Sequence, residues 1–276
     1  MTTLNKKIIT AAVVLVSASS LLFVSENALA APYGADITIY DGSPKVTPTP
    51  SIANEDNEAE PSMVQTQAWD LEGFLLKGKA LTIVGGYNFY TGQEYMDAGD
   101  IFIDTNEDAV FSPDIITGHT YAAYEDIANV NFKYDYVLDI DWTGTTYNII
   151  KLNDNSMLEN TEYGSLYNTR SNPWRYLGGS GDTIMNGTQP LTYKTYNKES
   201  QTDTGFLGWG SDNKHFVATF DLRLIDLSNG ALFHNTMECG NDNLLGKTAP
   251  VPEPTSMLLF GTGLAGLAAL RRKNKA

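Results

Sequence analysis

From Phe216 to Leu224 every second residue is apolar: Phe216, Ala218, Phe220, Leu222 and Leu224 alternate with positions that include His215, Thr219, Asp221 and Arg223. Successive side chains of an extended strand point to opposite faces, so a period of two predicts a half-buried antiparallel strand and rules out the 3.6-residue stripe of an amphipathic helix. The period recurs in Tyr134, Tyr136, Leu138 and Ile140, set against Asp135 and Asp139. Asp141-Trp142-Thr143-Gly144 then supplies turn chemistry, and Tyr147 and Ile149 alternate with Thr146 and Asn148, which together predict a hairpin. Residues 80–87, 101–104, 191–196 and 205–209 are further strand candidates, while the stretch 153–187, rich in Asn, Ser, Gly and Tyr, reads as loops. About seven short strands with such loops predict an all-β fold, an antiparallel β-sandwich of jelly-roll-like or Ig-like type with loop insertions.

Cys239 is the only cysteine, so no disulfide framework is available and an apolar core must hold the domain. Residues 41–62 are rich in Pro and acids and poor in large apolar side chains, which predicts a linker, with 35–40 as a short extra edge strand. The β-rich ectodomain is placed at 67–246, after an N-terminal segment and acidic Pro-rich linker at 31–66, and Gly246 to Val251 reads as a leash to the tail.

Both ends read as address segments. Lys6 and Lys7 precede an apolar run from Ile8 to Val24, and Ala28-Leu29-Ala30 is a small-x-small cleavage site, so residues 1–30 read as a signal peptide whose removal leaves Ala31 first. An uncleaved N-terminal anchor is the alternative. At the other end Pro252-Glu253-Pro254 is followed by a Gly-studded apolar run at 255–270 and by Arg271-Arg272-Lys273. As a helix that run spans roughly 24 Å against the roughly 30 Å hydrocarbon core, a short transmembrane span whose basic end stays cytoplasmic.

This three-part ending, residues 247–276, resembles the PEP-CTERM sorting signal, with Pro252, Glu253, Pro254, Arg271 and Arg272 on the matching positions. The resemblance implies a bacterial exported protein whose tail is recognised by an exosortase-type membrane processing enzyme, usually in species that secrete polysaccharide. An ordinary single-pass anchor is the alternative.

The formal charge is −15, and both end segments are net basic, so the remainder is more acidic still. That excludes nucleic acid and anionic lipid as partners and suits solubility, divalent cations or neutral glycans. Asp104, Asn106 and Asp108 have an i, i+2, i+4 spacing that could bring oxygens to a Ca²⁺ ion, with Asp114 closing the loop; Ala109 and Ile115 depart from an EF-hand. His234, Cys239, Asn241 and Asp242 lie in a stretch resembling a His, Thr, Cys-Gly-Asn-Asp signature found before the tail in some PEP-CTERM proteins, and read either as a ligand pair or as a structural corner. Fifteen Tyr and four Trp, including Trp174, Tyr176 and Trp209 in loops, could contact sugars. His119 and His215 read as surface residues. No nucleophile elbow, zinc-protease motif, phosphate loop or dinucleotide fingerprint is present. The expectation is a noncatalytic surface or matrix protein of biofilm or exopolysaccharide; the alternative is a secreted hydrolase of matrix polysaccharide using carboxylates such as Asp100, Asp135 or Asp139.

Overall fold

The turn after Asp141 sets one hairpin. The Asp141 carboxylate accepts the Gly144 N–H at 2.8 Å and the Thr143 hydroxyl at 2.9 Å, and Thr145 completes the turn at φ 51°. Tyr136–Asp141 and Thr146–Lys151 therefore pair antiparallel, from Tyr136 opposite Lys151 to Asp141 opposite Thr146, as the alternation predicts.

The computed structural model describes residues 32–40, 59, 63–110, 122–162, 172–185, 187–197 and 214–250. Among these residues there is no α-helix, and the early strands are β1 (Ala35–Asp36), β2 (Thr38–Tyr40), β3 (Leu71–Lys77), β4 (Ala80–Gly85) and β5 (Ile101–Asp104). The middle of the chain forms β6 (Asp126–Ala128), β7 (Tyr136–Asp141), β8 (Thr146–Lys151), β9 (Ser156–Glu159), β10 (Arg175–Gly179) and β11 (Thr183–Ile184). The rest forms β12 (Gln189–Pro190), β13 (Thr192–Tyr196), β14 (His215–Asp221), β15 (Ala231–Thr236) and β16 (Asn243–Thr248). Single 3-10 turns occupy Gln67–Trp69 and Asn129–Asn131.

Antiparallel pairing gives a five-stranded sheet in the order β1-β3-β4-β14-β13 and an eight-stranded sheet β11-β8-β7-β5-β15-β16-β2, with β12 also on β8. A third sheet, β10-β9-β6, has three strands. The principal core lies between the two larger sheets: Phe74, Ile83, Ala218 and Phe220 from one meet Ile101, Ile103, Leu138, Ile149 and Phe233 from the other. The Phe74 and Phe233 rings, for example, lie 6.1 Å apart. Phe102, Val137 and Ile150 point the other way and pack with Ile127, Leu158, Phe132 and Tyr134 beneath the small sheet.

Three sequence expectations are corrected. The region 153–187 is not all loop, because β9, β10 and β11 lie in it. Tyr134 belongs to the second core rather than to the stripe of Tyr136 and Leu138. His215 is fully buried, not superficial. The last strand also continues through Gly246 to Thr248, where a leash is expected. A Cβ on Gly246 would lie only 3.0 Å from the Phe74 ring, so the strand passes too close for a larger residue. The strand candidate at 205–209, His119 and the linker, apart from Ala59, lie outside the described residues.

Residues 32–40 join both large sheets. Ala35 pairs with Leu76 on β3, Thr38 with Gly246 on β16, and between them the Ile37 N–H donates to Phe74 O at 2.9 Å while Ile37 O accepts the Lys247 N–H at 2.8 Å. This register runs residue 35 and residue 248 toward the same end of the sandwich, the end where Lys77 pairs with Ala80. β4 runs away from that end, so the segment after Gly85 emerges at the opposite one. Ile37 packs on the principal core. Replacing it by Asp should destabilise the domain by about 2 kcal/mol and lower the melting temperature by several degrees. An unchanged melting curve would show that residues 32–40 are dispensable to the sandwich.

Candidate functional site

The stretch His234 to Asn243 closes the β15–β16 connection. Gly240, at φ 69°, allows its N–H to donate to Met237 O at 2.8 Å, and the Thr236 hydroxyl reaches Asp242 O at 2.6 Å. Two side chains then fasten this corner to the start of β3. Asp242, fully buried, accepts the Leu71 N–H at 2.6 Å and the Asn243 N–H at 2.8 Å. Asn241 accepts the Val64 N–H at 2.9 Å and donates to Val64 O at 3.0 Å, copying a backbone pair with its amide. Asn235 donates to Gly99 O and Asp100 O.

His234 and Cys239 are not brought together. The His234 ring faces the second core, stacked 6.0 Å from Tyr134, whereas Cys239 is part of the principal core on the other side of the sheet. Burial pushes the Cys239 thiol up to about 12, the opposite of what a nucleophilic thiolate requires. What these residues form is a hydrogen-bonded corner.

The acidic turn after β5 is likewise internal in its bonding. Asp104, buried, accepts the N–H groups of Asn106, Glu107 and Ala109, each at 2.9 Å. Asn106 Oδ1 accepts the Asp108 N–H at 3.0 Å, while Asp108 and Glu107 lie beside Lys133 and Lys247 at 3.9 Å and 3.2 Å. Among the described residues no group of three or more His, Cys, Asp or Glu side chains converges as a metal would require. Asp114 lies outside them.

Asp100 and Asp135 are placed in the same way. Asp135 accepts both the N–H and the hydroxyl of Thr105 at 2.7 Å. Asp100 accepts the Ile140 N–H at 2.9 Å and the Tyr176 N–H at 2.8 Å, so it ties the eight-stranded sheet to the small one. Burial, with the Asp139 charge adding to it, outweighs those two bonds and pushes the Asp100 carboxyl up to about 8. A raised acid beside a second carboxylate is a glycosidase pattern, but each Asp100 oxygen holds a backbone N–H and the residue is buried. Asp139, whose carboxyl is also raised by burial, accepts Asn148 Nδ2 at 3.4 Å.

A buried polar group escaped the sequence reading. Glu72 sits in a β-bulge between Leu71 and Gly73, and bonds Gln67 Nε2 and His215 Nδ1, each at 2.5 Å. Gly85 and Gly86 make this crossing possible at the end of β4: a Cβ on Gly86 would lie 2.0 Å from Gln67 O. Val217, apolar on the face assigned to solvent, is the signal that this face is also covered. Of the loop aromatics, Trp174 is buried with the Arg175 guanidinium 4.6 Å above its ring, Tyr176 donates to Asp182 at 2.6 Å, and Trp209 lies outside the described residues.

β16 ends at Thr248, whose hydroxyl accepts the Ala231 N–H at 2.9 Å, and the chain then enters the segment containing Pro252, Glu253 and Pro254. A family model of the PEP-CTERM protein-sorting motif matches residues 250–273. The tail is a PEP-CTERM sorting motif. It marks an exported protein sorted by an exosortase-type enzyme to the cell surface or the extracellular space. No curated protein and no solved structure matches the chain. The PEP-CTERM motif begins two residues after β16, so its processing need not disturb the last strand. Among the described residues no helix is long and apolar enough to cross a membrane; the signal peptide with Ala28, Ala30 and Ala31, the 255–270 span, Arg271 and Arg272 lie outside them.

Two outcomes follow. Asp242→Ala leaves two buried N–H groups without their acceptor and should cost about 2 to 4 kcal/mol by chemical denaturation, whereas Cys239→Ser should cost clearly less; equal losses would refute the corner's dependence on Asp242. For Asp100 the folded carboxyl titrates higher than the unfolded one. Its contribution is therefore fully present below the unfolded value and is lost as the pH rises from about 4 toward about 8. The stability advantage of wild type over Asp100→Asn should narrow across that range, and a difference that widens instead would contradict the assigned titration.

Proposed function

We propose that the exported domain is a noncatalytic component of the extracellular polysaccharide matrix, delivered by removal of a signal peptide after Ala30 and by exosortase-type processing of the tail. The sorting motif at residues 250–273 carries this reading, because it fixes a destination outside the cell. In this reading the 255–270 run holds the precursor in the membrane until processing, and the mature chain contacts neutral glycans rather than polyanions, in keeping with a formal charge of −15 for the full chain and a more acidic remainder once the net-basic ends are removed. The internal bonding of Asp100, Asp104, Asp135 and Asp242 supports a structural use of the carboxylates over the hydrolase alternative.

The test is the intact mass and cellular fraction of the protein in its own host, beside a variant with Pro252-Glu253-Pro254 replaced by three alanines. The wild type should be found outside the cell without its C-terminal segment, and the variant full-length in the membrane. Full-length, membrane-bound protein in both strains would make the tail a plain anchor and remove the basis for a matrix role.

A further inference from the structure

The connection between β4 and β5 contains a two-residue hairpin tip closed by reciprocal bonds, Gln93 N–H to Met96 O at 3.1 Å and Met96 N–H to Gln93 O at 2.9 Å. The central residues are Glu94 at φ 51° and Tyr95 at φ 75°. Tight tips of this kind ordinarily use Asn and Gly, because a Cβ in the left-handed region crowds the following carbonyl. A bulky residue kept in that conformation is an outlier that points to use of its side chain. Tyr95 gets nothing back from the fold for the strain: its relative exposure is 102%.

The tip is held firmly from below. Tyr87 OH donates to Met96 O at 2.6 Å, the Asp97 N–H donates to Glu238 Oε2 at 2.9 Å, and the Glu238 N–H returns a bond to Asp97 O at 3.0 Å. The same connection presents Tyr90, 45% exposed, with its ring 6.3 Å from that of Tyr193. Tyr193 in turn stacks on Phe216 at 6.4 Å and donates its hydroxyl to Asn88 Oδ1 at 2.9 Å. Asn88 Oδ1 also accepts the Tyr90 N–H at 3.1 Å. The Tyr90 and Tyr193 rings are in place before a ligand arrives, with the Asn88 amide beside them, and Tyr95 is carried on the anchored tip; such rings suit sugars, because ring faces cover C–H groups and an amide bonds hydroxyls. The exposed large apolar residues of this connection are both tyrosines. By strand register the loop lies at the end of the five-stranded sheet opposite the one toward which residues 35 and 248 run.

We infer that Tyr90, Tyr95 and Asn88, backed by Tyr193, form a contact site for neutral polysaccharide. The acidic chain, with Glu94 beside Tyr95, disfavours polyanions at this place. The site rests on the matrix reading above and gives it a ligand class.

The experiment is affinity electrophoresis of the mature protein released by its host, in native gels containing hydroxyethylcellulose, dextran or glucomannan, with alginate as the polyanion. Wild type should be slowed by at least one neutral polymer and not by alginate. Tyr90→Ala with Tyr95→Ala should weaken that retardation about tenfold or more, while Ile184→Ala, an exposed apolar residue on β11, should not. Tyr95→Gly should also lose retardation while its melting temperature holds or rises, because glycine relieves the turn; a misfolded variant would instead melt lower. Unaltered retardation of the Tyr90/Tyr95 variant, retardation by alginate alone, or none by any neutral polymer overturns the site. Those results leave the matrix reading standing if the wild type still fractionates outside the cell; absence from that fraction removes the reading itself.

Discussion

The four residues Ile101–Asp104 are buried on both sides of their sheet: Ile101 and Ile103 face one core and Phe102 the other. A single sandwich can cover only one of these faces. β7 and β8 carry the same double load, with Leu138 and Ile149 toward the principal core and Val137 and Ile150 toward the second. The five-stranded sheet closes the first face, and the small sheet with Phe132 and Tyr134 closes the second.

Covering a sheet twice leaves backbone groups of connecting segments far from water, and these need internal partners. In this protein short carboxylate and amide side chains provide them. Asp242 receives the N–H at the start of β3, Asn241 that of Val64 in the segment ahead of it, Asp104 receives three from its own turn, and Asp100 links β7 to β10. Asp100, Asp104 and Asp242, which a sequence reading could give to cations or catalysis, therefore act as internal caps. Asp100 shows the tension in this use: its two N–H donors favour the ionised form, and burial beside Asp139 overrides them.

How much of this is legible in the sequence depends on the range of the cause. The β7–β8 hairpin is local, written in Asp141, Gly144 and the alternation on either side; β5 is found with the expected bounds, and β4, β13 and β14 with ends shifted by a residue or more. The third layer is not local. Residues 156–159 and 175–179 carry Ser, Met, Glu, Arg and Gly, with a bulge between Tyr176 and Gly178, and become strands only because Phe102 and Val137 need a cover. His215 fails for a related reason, since its position looked solvent-facing until Glu72, from a bulged strand two places away, supplied a partner. The corner at 234–243 stands out as a motif, yet which of its residues bond depends on Val64 and Leu71, roughly 170 positions earlier. The sorting motif is legible because it is written in consecutive residues, 250–273.

Register also sets which loops share an end of the sandwich. β2 and β16 are neighbours and antiparallel, so residues 35 and 248 run toward the end where Lys77 pairs with Ala80. β4 leaves that end, so the connections at the other one include the strained Glu94-Tyr95 tip.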